Sequence, residues 1–155
     1  MPQLVKGGKH VFGWSKVGEK GKIRIPGDAR EEYHLHPKDK VILCQGSKTS
    51  GGFSSIKEEV FRASRLSSLL DANPRLATFQ IPKGAPITYK KRIFSWTEIC
   101  DDSSICLPLE TLQMFGIQPG DRLLVARGSG LGVGFLVRGP IILEAQRHAD
   151  LLLIE

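Results

Sequence analysis

No apolar run in this chain of 155 residues approaches the roughly 18 residues that a membrane-crossing helix requires. The opening stretch MPQLVKGGKH has no apolar core of the kind a secretory leader carries. Cysteine is scarce: Cys44, Cys100 and Cys106 are odd in number and form no CxxC pair, which argues against a disulfide scaffold and suits a reducing compartment. A cytoplasmic protein with no membrane partner is therefore expected. Catalytic signatures are missing too. There is no GxSxG, no HExxH and no phosphate-loop lysine. Asp101 and Asp102 are adjacent, as in a solvated turn, and His34 and His36 have no further Cys or His close in sequence. These absences argue against an enzyme, a bound cofactor or a metal site. Cys100 and Cys106 flank one loop, where a facing redox pair is one reading; without basic neighbours to lower their pKa, two ordinary thiols are the expected one.

Charge is present but unevenly placed. Residues 1–82 hold 14 Lys+Arg against 8 Asp+Glu, whereas residues 83–155 hold 8 of each, so the first half carries the whole net charge of +6. Such an excess favours polyanionic partners.

Shifted by 82 residues, the sequence matches itself without a gap. Phe12 meets Phe94, Trp14 meets Trp96, Ile23 meets Ile105, Pro26 meets Pro108, Pro37 meets Pro119, Asp39 meets Asp121 and Phe53 meets Phe135. The chain therefore reads as an internal duplication: residues 1–70 a basic first repeat, 71–92 a linker, and 93–155 a degenerate second repeat. The repeated tryptophans are expected in the core. His34 aligns with Gly116 just past a short helix, which predicts a left-handed backbone at His34. The glycine-rich run from Gly128 to Gly134 aligns with the loop at Gly46–Gly52 and reads as a hairpin loop rather than a nucleotide cradle.

The stretch Lys16–Leu43 holds Lys16, Lys20, Lys22, Arg24, Arg30, Lys38 and Lys40. Its Lys22-Ile23-Arg24-Ile25 alternates like a half-buried strand that Pro26 ends. Two turns of helix to Tyr33 follow, then a Pro37-Lys38-Asp39 turn and a second strand from Lys40. Further on, Val11–Val17 and Phe53–Ile56 read as strands and Lys57–Leu70 as one amphipathic helix. Ala77–Ile81 reads as a strand within the linker, and a helix from Pro140 to about His148 precedes apolar Leu151–Ile154.

Gly21-Lys22, Ile23-Arg24-Ile25-Pro26, Arg30-Glu31 and Pro37-Lys38-Asp39-Lys40-Val41 together resemble the looped-hinge motif of the AbrB/MazE/SpoVT family. The tandem layout is similar to that of MraZ proteins. Gly18 and Lys38 depart from the family pattern, which has Asp and Gly there. The resemblance implies a mostly β fold with short helices, a swapped-hairpin β-barrel built from two repeats. Either both repeats close one barrel within a chain, the expected case, or first repeats pair across a homodimer. It also implies a DNA-binding transcription regulator that contacts duplex DNA through Lys16, Lys20, Lys22, Arg24 and Arg30, with the chain assembling as a homodimer or higher homo-oligomer. Arginines read guanine edges while lysines neutralise phosphate, which gives Arg24 and Arg30 base contacts. An antitoxin-like or assembly module is the alternative. In the second repeat Ser104, Cys106 and Leu112 replace Lys22, Arg24 and Arg30, so DNA contact is expected only from the first.

Overall fold

The computed structural model describes residues 11–127, 131–139, 142 and 153–154. The expected helix beyond Pro140, the residues 1–10, and Gly128–Gly130 of the glycine-rich run lie outside the described residues, apart from Ile142 and the backbone of 153–154.

The chain is mostly antiparallel β with short helices. In the first half come β1 (Val11–Lys16), β2 (Lys22–Arg24), α1 (Gly27–Glu32), β3 (Lys40–Gln45) and β4 (Phe53–Lys57). Three short helices follow: α2 (Glu58–Arg62), α3 (Ser68–Ala72) and α4 (Pro74–Ala77). Then come β5 (Ile87–Tyr89), β6 (Arg92–Glu98), β7 (Ser104–Cys106), α5 (Leu109–Met114), β8 (Arg122–Arg127), β9 (Val133–Leu136) and β10 (Leu153–Ile154).

Strands of the two halves are interleaved in one sheet. The large sheet runs β10-β1-β8-β9-β4-β3-β6-β5, and β2 pairs with β7 in a separate ladder. β1 lies on β8 with Trp14 opposite Leu124, and β6 lies on β3 with Trp96 opposite Ile42. Adding 82 to Trp14 and subtracting it from Leu124 converts the first register into the second. Ile23 opposite Ile105, at the centre of β2–β7, and Phe53 opposite Phe135, at the end of the β4–β9 ladder, are each 82 residues apart. Left-handed backbone recurs at the same spacing: His34 (φ 54) and Gly116 (φ 79), Lys38 (φ 73) and Gly120 (φ 92), Gly21 (φ 79) and Ser103 (φ 65). The expectation for His34 is thus met.

The sheet does not close. β10 and β5 are its two edges, with no ladder joining them among the described residues, so the expected closed barrel is instead an open, folded-over sheet. β10 adds to β1 in parallel, and β5 extends the β6 side, so each occupies an edge that closure would have consumed.

The main core draws on both halves: Phe12, Ile23, Ile25, Leu43 and Phe53 pack with Ile99, Ile105, Leu112, Phe115 and Phe135. Phe53 stacks on Phe135 with centroids 4.8 Å apart. β3 is apolar on both faces, and its other face, Ile42 and Cys44, packs under Phe61, Leu69, Leu70 and Leu76. Trp96 is buried and its indole N–H donates to the Ile81 carbonyl at 2.9 Å. Trp14, against expectation, is only half-buried and packs beside Val11 and Leu124.

Two local expectations are corrected. The single helix over 57–70 is broken at Ser64, whose hydroxyl donates to the Phe61 carbonyl and accepts from the Leu66 N–H, starting a new 3-10 turn at Arg65–Ser67. Ala77–Ile81 is not a strand. Pro74 opens α4, and Phe79 turns left-handed (φ 56), placing its ring 4.8 Å from that of Trp96. The strand of this region is β5, joined to β6 by Lys90-Lys91, both at positive φ as a two-residue type I′ hairpin turn requires. Segment 71–92 is thus ordered against the second half, where the Gly84 carbonyl accepts from Thr111 Oγ1 at 2.6 Å.

Candidate nucleic-acid interface

β2 is three residues long, and its alternation decides what faces out. Ile23 is fully buried between exposed Lys22 and Arg24. The hinge loops at its ends are tied across the pseudo-symmetric pair: the Leu107 N–H donates to the Gly21 carbonyl at 3.1 Å and the Ile25 N–H to the Ser103 carbonyl at 3.2 Å. A Cβ at Gly21 would come within 2.1 Å of the Leu107 carbonyl oxygen, so this approach needs glycine.

Of the five cations expected at the site, three project freely. Lys16 at the end of β1, Lys20 in the hinge and Arg24 on β2 are exposed, and among the described residues none makes an ion pair or a side-chain hydrogen bond. Lys16 and Lys22 line one shallow depression with Gly18, Glu19, Pro119 and Gly120.

The other two are engaged. Lys22 Nζ lies 2.6 Å from Asp102 Oδ2, and Ser104 Oγ donates to Asp102 Oδ1 at 2.6 Å. The hydrogen bonds from Lys22 and Ser104 hold the Asp102 carboxyl down at about 2, while Asp102 raises the Lys22 ammonium. Arg30 is half-buried. Its Nε donates to the Ile25 carbonyl at 3.2 Å and its Nη1 to Ser103 Oγ at 3.1 Å, so part of its fork clamps the second hinge loop.

One basic residue escaped the sequence reading. Arg122, in the second half, stands directly opposite Lys16 on the β1–β8 ladder, and both are exposed. Like charges in that position repel. The equivalent pair in the other ladder is Lys40 opposite Glu98, which is complementary. Only the register places Arg122 here, although its being the lone cation of 98–122 was a signal. Lys38 and Lys40 lie apart from this cluster; Lys40 sits over the Phe79 ring at 4.8 Å.

Among the described residues no group of three or more His, Cys, Asp or Glu could hold a metal ion, and no helix is long and apolar enough to cross a membrane. The chain matches no protein-family model and no curated protein.

Proposed function

We propose that the chain is a DNA-binding transcription regulator of the looped-hinge, AbrB-like type, built from two copies of one unit whose hairpins exchange strands. The matching registers of β1–β8 and β3–β6 over residues 13–16 and their counterparts, and the recurrence of left-handed positions 82 residues apart, support the duplication. The observation that carries the functional reading is the row of unpaired cations on the first hinge: Lys16, Lys20 and Arg24, joined by Arg122. An unbalanced cationic face is what phosphate neutralisation requires.

The residue roles follow from the partners. Arg24, exposed with a free guanidinium, contacts base edges; Lys16, Lys20 and Arg122 contact phosphate. Arg30 positions the hinge and Lys22 is held in reserve by Asp102. The second hinge, with Asp101 and Asp102, does not itself face DNA. With one basic face per chain, a two-fold operator needs a homodimer, its half-sites set by the spacing of two first hinges.

Selection of bound duplexes from a random pool, followed by titration of the enriched sequence, tests this reading. An enriched motif whose binding is weakened by Arg24→Ala is the expected result. A pool that stays random, with no retention at low salt, overturns it.

A further inference from the structure

The second hinge brings two thiols into contact. Cys100 is half-exposed and Cys106 exposed, and their sulfurs are 3.8 Å apart. The turn between them is tight: the Cys100 N–H donates to the Ser104 carbonyl at 2.9 Å, and the Ser103 N–H to the Cys100 carbonyl at 2.8 Å. Reaching a sulfur–sulfur bond of about 2 Å asks the side chains to close by only about 2 Å. The same turn carries three contacts to the first hinge: Asp102 on Lys22, the Ser103 hydroxyl on Arg30, and the Ser103 carbonyl on the Ile25 N–H.

We propose that Cys100 and Cys106 form a redox-modification site, closed by a low-molecular-weight disulfide into an intramolecular disulfide that fixes the second hinge and keeps Asp102 on Lys22. The exposed Cys106 thiolate attacks one sulfur of the small disulfide, forming a mixed disulfide and releasing one small thiolate. The Cys100 thiolate then attacks Cys106 Sγ and releases the second. The two protons lost by the cysteines pass to the two leaving thiolates, so the protein thiols are oxidised and one small disulfide is reduced. Partial burial and the Cys100 sulfur push the Cys106 thiol up, so the reaction is slow near neutral pH and quickens as pH rises. Cys44 is a built-in control. It is buried and its thiol is pushed up to about 12 by desolvation, so it stays unreacted in the folded chain.

The bond itself is independent of the DNA reading; its effect on binding rests on it. The test incubates the full chain with oxidised glutathione at mildly alkaline pH, followed by intact mass measurement and peptide mapping. The expected product is lighter by two hydrogens, with a Cys100–Cys106 linked peptide and Cys44 alkylated only after denaturation. The Cys100→Ser variant instead stops at a glutathione adduct on Cys106. Two glutathione adducts on the unaltered chain, or a chain-to-chain disulfide, would overturn the site. For binding, the oxidised form should bind duplex DNA with a slope of log K against log salt shallower by about one, since Lys22 stays paired. Thiol reduction should restore the slope, and in Asp102→Asn the two redox states should bind alike. Equal slopes in both redox states of the unaltered chain would overturn the coupling and leave the DNA reading standing, whereas no DNA binding by either state removes both.

Discussion

Lys22 and Asp102, 80 positions apart in sequence, meet at 2.6 Å, so the acidic hinge of one half neutralises a cation of the other. The two hinges are therefore not independent surfaces.

Asp102 should titrate near pH 2. Its folded pKa is depressed from 3.8, so the stability it contributes is present above the unfolded value and is lost as pH falls through about 2. The Lys22 pKa is raised from 10.5, so its share is present below that value and is lost as pH climbs through the higher folded one. Carboxyl carbon chemical shifts followed against pH check this. In Lys22→Ala the Asp102 midpoint should move up, and an unmoved midpoint would mean that the pair does not form.

DNA affinity should fall steeply with salt. Lys16, Lys20 and Arg122, together with Lys22 once DNA draws it from Asp102, give four phosphate contacts per chain and a slope of about −3.6 for one chain and about −7 for two. Arg122→Ala should reduce the slope by about one per chain, as Lys16→Ala does, while leaving stability within about 0.5 kcal/mol. Lys22→Ala should cost less affinity than Arg24→Ala. A neutral Arg122→Ala would remove the second half from the interface.

The two tryptophans should differ. Trp96 is 7% exposed and hydrogen-bonded, and its replacement by Ala should cost about 3–5 kcal/mol in chemical denaturation. Trp14 is half-buried and should cost clearly less. Equal losses would place Trp14 deeper than its contacts indicate.

A fragment ending at residue 82 should not persist as a folded monomer. β1 loses both of its partner strands, β2 loses β7, and β3 keeps only β4. Light scattering with circular dichroism should find a dimer or an unfolded chain, and a compact folded monomer would contradict the shared core.

Lys38→Gly should stabilise the chain by about 0.5–1 kcal/mol. Lys38 has φ 73, and a side chain there costs about 1–2 kcal/mol, offset in part by the entropy of glycine in the unfolded chain. Its structural counterpart is already Gly120. A lower melting temperature would show that the lysine side chain contributes something the backbone argument omits.

Whatever depends on neighbours within a few residues was legible in the sequence. The alternation Lys22-Ile23-Arg24 set two cations outward and one isoleucine inward, because strand side chains alternate faces. The match of His34 to Gly116 gave the left-handed turn, since the backbone constraint is local. What the local pattern misjudged were interruptions with weak signals: the break at Ser64, and a type I′ turn made from Lys90-Lys91 without the usual Asn-Gly. Tertiary structure alone decided the pairings. Which strand lies beside which is settled by burying both halves in one core, and that choice set Arg122 opposite Lys16, Asp102 against Lys22 and Ser103 under Arg30. It also left the sheet open, because β10 and β5 take its edges. Composition placed positive charge in the first half of the chain; the folded register decided which of those charges remain free.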